Sequence, residues 1–117
     1  MSSATQLAGA GAEERAARFL ASHGLTIVAR NFRTRLGEID LIARDRETLV
    51  FVEVRSRASG AYGGAVESIT ASKRSRIAAA ANAYLALLGS QPPCRFDVML
   101  LEGGAMRWIP SAFDVRD

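Results

Sequence analysis

The sequence predicts an α/β (α+β) domain with the element order α-β-β-β-α-β-β, and three observations carry that prediction. Residues 12–23 keep a helical period that stops at Gly24. Two runs rich in β-branched and large apolar residues, 37–43 and 49–57, are separated only by Arg44 to Thr48. Residues 70–88 form a long helical stretch with a capping residue at each end.

Taken in order, Met1 to Gly11 is small and polar, with three alanines and two glycines, and is expected to be a disordered lead-in. Residues 12–117 are expected to form one domain. In the first helix Ala16, Ala17 and Leu20 make the apolar stripe, and Glu13 stands three, four and seven residues before them. Glu13 therefore points along the core-facing side, as a helix-start acid favoured by the dipole or as a functional carboxylate. Leu25 to Phe32 reads as the first strand and ends in arginines alternating with an aromatic residue. The hairpin follows, and then a glycine-rich loop from Ala58 to Gly64 that lacks the pattern of a phosphate-cradling Walker loop.

Thr70 is the predicted N-cap of the second helix, Gly89 its stop, and Pro92-Pro93 lies beyond. Ile77, Ala81, Tyr84, Leu85 and Leu88 supply its packing face. Lys73, Arg74 and Arg76 crowd its first two turns, where the macrodipole disfavours cations, so an anion is expected nearby or the face is simply solvated. Residues 95–101 and 105–109 read as two further strands around Glu102-Gly103-Gly104, and the tail from Pro110 carries no clear pattern. His23, Cys94, Met106 and Trp108 are read as structural.

Length and composition bound the function. A chain of 117 residues with 49% hydrophobic and 23% charged residues buries one ordinary core. The single cysteine excludes an intramolecular disulfide framework, and no cysteine–histidine cluster points to zinc. No apolar run reaches the roughly 20 residues of a membrane span, and the first residues do not form a secretory signal, so a cytoplasmic protein is expected. The net charge is +3; Lys73 is the only lysine, and ten of the fifteen basic residues fall between Arg30 and Arg76. Arginine forks suit phosphate.

The hairpin holds acid in the wrong place. Asp40 and Glu53 sit inside apolar strand cores, where an unpaired carboxylate is costly. With an even-numbered loop, Arg46-Glu47 or Asp45 to Thr48, paired positions sum to 93, which sets Asp40 opposite Glu53 and Glu38 opposite Arg55, with Cβ atoms roughly 4.5–5.5 Å apart. An odd loop would put the two acids on opposite faces. The plainer alternative is a solvent-facing surface, with acids and arginines outward and Ile39, Leu41, Val50, Val52 and Val54 inward. A divalent cation would resolve the repulsion of the opposed pair.

The stretches Gly37-Glu38-Ile39-Asp40-Leu41-Ile42, Val50-Phe51-Val52-Glu53-Val54-Arg55, Tyr62-Gly63-Gly64, Lys73 and Arg95-Phe96-Asp97-Val98 closely resemble those of the YraN-type family. That family consists of small bacterial proteins assigned to the restriction-endonuclease-like, PD-(D/E)xK fold near the archaeal Holliday-junction resolvases. The resemblance covers most of residues 12–113. It implies a mixed central sheet flanked by helices and a metal-dependent cut in a nucleic-acid phosphodiester. Asp40 and Glu53 would coordinate Mg²⁺ or Mn²⁺, with Glu13 matching the family's first-helix acid as an additional carboxylate. Arg55 would stabilise transition-state charge, and Arg33, Arg35, Arg57, Lys73 and Arg74 would hold the backbone of DNA. One departure matters: Arg55 stands where the superfamily has lysine, and arginine cannot serve as a general base. A non-catalytic nucleic-acid-binding module is the alternative. A structural or partner-binding domain, with a homodimer joined through an exposed strand edge, is a third reading.

Overall fold

Two apolar runs set the architecture, because each is buried on both faces. Ile39 and residues 41–43 are buried in the first, and residues 49–53 in the second. Strands with no polar alternation need a layer on each side. The computed structural model describes residues 4–57 and 69–114, and it supplies those layers as two helices. The elements are α1 (Ala4–Ser22), β1 (Thr26–Arg33), β2 (Glu38–Asp45), β3 (Thr48–Arg57), α2 (Ala71–Leu88), β4 (Cys94–Glu102) and β5 (Ala105–Phe113). This is the expected order. The five strands form one mixed sheet in sequence order, antiparallel throughout except for β3 and β4, which run parallel across the crossover that contains α2.

On one face, Ala16, Ala17 and Leu20 of α1 pack on Leu41, Ala43, Val50, Val52 and Met99. On the other, Ile77, Ala80 and Ala81 of α2 pack on Ile42, Leu49 and Phe51. Alanine at the contact positions lets both helices lie close to the sheet. The solvent-facing alternative for the hairpin therefore fails, since α2 covers the face that carries Phe51 and Glu53.

The ends of α2 follow the sequence signals. Thr70 Oγ1 accepts the Lys73 N–H at 3.1 Å, and Gly89, at φ +75°, donates its N–H to the Leu85 carbonyl at 3.0 Å. Within the helix the packing face is shifted: Ala80 is buried, whereas Leu88 is 38% exposed at the helix end. Three other boundaries differ. Helical backbone reaches back to Ala4, into the segment expected to be disordered; with alanines at 4, 8 and 10, extension of a helix already anchored on the sheet costs little. β2 and β3 leave only Arg46-Glu47 between them, with Arg46 at φ +57°. β5 continues through Pro110 to Phe113, on the edge of the sheet, where proline's missing N–H is tolerated. The glycine-rich segment, with Tyr62-Gly63-Gly64, lies outside the described residues. No helix among the described residues is long and apolar enough to cross a membrane.

Asp97 explains how β5 is held past its proline. Its side chain is wholly buried, accepts the Trp108 Nε1–H at 2.9 Å and the Ser111 N–H at 2.9 Å, and pairs with Arg95 Nε at 3.1 Å. Arg95 also reaches Asp45 at 3.0 Å, tying β4 to the hairpin end. Trp108 itself packs on α1 with Phe19 and His23. Asp97→Ala is expected to cost about 3–5 kcal/mol by leaving buried donors without an acceptor. Denaturant unfolding of wild type and variant checks this, and a loss within error of zero would remove Asp97 from this role.

Candidate functional site

A two-residue loop fixes the hairpin register at sums of 93, with Leu41 opposite Val52 and Ile42 opposite Phe51. One more step brings Asp40 level with Glu53, and there the strands part. The register would next set Val54 against Ile39. Instead the Val54 N–H is donated to Asp40 Oδ2 at 2.8 Å. Glu38, expected opposite Arg55, lies on the other side of β2, beside Arg33 of β1 at 3.3 Å. The parting coincides with a change of face along β2. Leu41 packs in the α1 cluster, yet Ile39, two residues away, packs in the α2 cluster with Phe32. Across from Asp40 on β1, Asn31 has φ +50°. Such a backbone angle is uncommon for a non-glycine residue, and it occurs inside a register that is continuous from Ala29 to Arg33; the register shift of this strand pair lies between Ile27 and Ala29.

The consequence is a group of carboxylates at the strand parting. Glu53 is 5% exposed. Burial, the negative charge of Asp40 and a hydrogen bond shared with Asp40 push its carboxyl up to about 7, against the pull of Lys73 and Arg55. Glu13 of α1 also sits above the ordinary carboxylate range, through burial and then the charge of Asp40, while a hydrogen bond from the Asn31 side chain opposes the shift. The first-helix acid thus shares the field of the pair. Among the described residues, no three or more His, Cys, Asp and Glu side chains gather into a set that could hold a metal by themselves. The arrangement offers two strand carboxylates with oxygen donors, and Glu13 alongside.

Two cations face Glu53. Arg55 Nη1 lies 3.4 Å from Glu53 Oε2, and Lys73 Nζ, arriving from the first turn of α2, lies 3.7 Å from the same oxygen. A lysine from the helix thus stands beside Glu53 together with the arginine of β3. Sequence spacing does not show this, since 20 residues separate Lys73 from Glu53. The other basic residues divide. Arg33, Arg35 and Lys73 line a hollow of about 290 Å³ together with Arg76, which the sequence marks only as one of three cations crowding the start of α2. Arg57 is paired with Glu102 at 2.7 Å. Arg74, expected on the nucleic-acid side, is half-buried with its guanidinium over the Phe113 ring, 5.6 Å from the centroid. The apolar side of α2 draws its long stem inward.

Fold and site together define a small α/β domain with two carboxylates where two central strands part, faced by a lysine from the crossover helix. Residues 12–101 match the group described as Uncharacterised protein family UPF0102. The UPF0102 protein of Paracidovorax citrulli is 58% identical over 114 residues, covering 94% of this chain and 84% of its own length. Those of Cupriavidus pinatubonensis (51%, covering 97% and 90%) and Nitrosospira multiformis (53%, covering 95% and 96%) are similar along almost their entire lengths. The chain belongs to the UPF0102 family, the YraN-type family that its motifs resemble.

The raised Glu53 has a measurable consequence. Its carboxyl titrates near 7 in the folded chain, against an ordinary value of about 4.5. Between those values the folded chain keeps a proton that the unfolded chain has released. Stability from this group is therefore full below pH ~4.5 and is lost as pH rises through about 7. Glu53→Gln is expected to remove that slope, so its melting temperature gains on wild type between pH 4.5 and 8. Parallel pH profiles for the two proteins would contradict the shift.

Proposed function

We propose that the chain is a Mg²⁺- or Mn²⁺-dependent nuclease of the restriction-endonuclease-like superfamily, acting on DNA, with Asp40 and Glu53 as metal ligands. The observation that carries the reading is Lys73 Nζ, 3.7 Å from the oxygen of a buried Glu53 that Asp40 crowds. A buried Glu53 whose proton affinity is raised by burial and by the neighbouring Asp40 is a donor that a divalent cation would relieve. Mg²⁺ is commonly held by one or two carboxylates with water and substrate phosphate, so a full protein cage is not required. When bound, such an ion polarises a phosphoryl oxygen and makes water a better nucleophile.

The chain's own residues would divide the remaining work. Asp40 and Glu53 would hold the ion, and Asp40 is itself oriented by the Val54 N–H. Lys73 carries an amine that can donate to a phosphate oxygen or hold the attacking water. Arg55 stays protonated and stabilises charge as it develops on the phosphorus centre. The arginine on β3 favours a second reading, a nucleic-acid-binding module without catalysis, if the helix lysine does not serve.

Labelled single-stranded, duplex and four-way-junction DNA incubated with the protein and Mn²⁺ or Mg²⁺ tests the proposal. Wild type is expected to cut one of these shapes only with metal, Glu53→Ala not at all, and Lys73→Ala roughly 100-fold or more slowly. Retention of DNA without cutting would favour the binding module. The metal role has its own check by calorimetry: Asp40→Ala should lose Mn²⁺ binding while keeping its circular dichroism. Equal binding by wild type and Asp40→Ala would defeat the ligand assignment.

A further inference from the structure

The hollow beside the carboxylates is built rather than incidental. One wall is the Thr34–Gly37 turn. Thr34 N–H donates to the Gly37 carbonyl at 2.8 Å, and Thr34 Oγ1 accepts the Leu36 and Gly37 N–H groups at 3.1 and 3.0 Å. The opposite wall is the start of α2, pressed so close that a Cβ on Gly37 would stand 2.1 Å from the Arg76 carbonyl oxygen. Only glycine lets the turn seat there. The contact fixes Arg35, on the turn, relative to Arg76, on the helix.

Charge in this hollow is only partly compensated, with Glu38 the one carboxylate among its lining residues. Of its cations, Arg33 is met by Glu38 and Lys73 by Glu53. Among the described residues no carboxylate pairs with Arg35 or Arg76, and both are exposed. The first turn of α2 contains no acid, so the positive end of the helix adds to the field instead of being offset. An anion is the missing partner. Two arginine forks on opposite walls suit tetrahedral oxygens better than a lone carboxylate.

We propose that the hollow between the Thr34–Gly37 turn and the first two turns of α2 is a phosphate subsite, in which Arg35 and Arg76 grip a non-scissile backbone phosphate of DNA. It rests on the nuclease reading for the identity of the strand. Lys73 joins the two sites, since it lines the hollow and lies 3.7 Å from Glu53, so the gripped phosphate adjoins the carboxylates. The subsite reads no base and is blind to sequence.

The full chain, with metal chelated so that no cutting intervenes, is titrated with labelled single-stranded and duplex oligonucleotides across a range of salt. The Arg35→Gln, Arg76→Gln double variant is expected to bind at least five-fold more weakly at low salt, whatever the sequence. For each phosphate no longer gripped, its slope of log affinity against log salt should fall by about 0.7 for single strands and about 0.9 for duplex. Arg107→Gln, on the exposed side of β5, should match wild type. Both substituted arginines are exposed, so equal melting temperatures are expected. Affinity and salt slope equal to those of wild type would overturn the subsite. Inorganic phosphate or a nucleoside monophosphate bound as tightly as the oligonucleotide would overturn the polynucleotide assignment and make it a site for a free phosphate. Mn²⁺ binding, measured separately, distinguishes the failures. If it is present while the double variant is silent, only the subsite falls; if it is absent while the double variant loses DNA, only the metal-dependent reading falls.

Discussion

The bond from the Val54 N–H to Asp40 Oδ2 is the constraint on which the site depends. A ladder continuing in register would have spent that amide on another backbone group and kept β2 and β3 zipped together. By taking the amide into a side chain, the chain opens the sheet at one point and holds a carboxylate there, beside Glu53, with little water. The low dielectric that makes this hydrogen bond strong also makes the repulsion between the two acids large. Burial and repulsion act together, and the proton affinity of Glu53 rises as a result.

The helices complete the arrangement because their contact faces are small. Ala16 and Ala17 on α1, and Ala80 and Ala81 on α2, allow close approach to the two faces of the sheet. Close approach is what brings Glu13 within the field of Asp40 and the Lys73 amine to Glu53. Gly37 serves the same purpose between the β1–β2 turn and α2. The site is thus assembled from three separate stretches, whose separations are set by side-chain size at positions that carry no chemistry.

Three carboxylates interrupt apolar strand cores in this chain, and their surroundings sort them. Asp97 has Trp108, Ser111 and Arg95 around its oxygens, and its bonds serve to hold an edge strand. Asp40 and Glu53 are turned toward each other, with a lysine and an arginine at the rim. A satisfied buried charge is costly to strip of its partners, whereas crowding raises the proton affinity of Glu53. In a strand sequence the two situations look alike, since each is an acid between apolar neighbours.

What the sequence determined by itself was local. Periodicity separated helix from strand, Thr70 and Gly89 marked both ends of α2, and the short hairpin connection narrowed the register to an even or an odd loop, of which the structure takes the even one at Arg46-Glu47 that brings Asp40 level with Glu53. A period of two and a short connection leave few alternatives over such distances. The tertiary structure decided the rest. It parted β2 from β3 at Asp40, sent Glu38 to Arg33, drew Arg74 over Phe113, carried β5 past Pro110 and delivered Lys73 across 20 residues to Glu53. Each of these depends on how two elements distant in sequence pack, and packing is set by the volumes of side chains on facing surfaces, which a one-dimensional pattern does not contain.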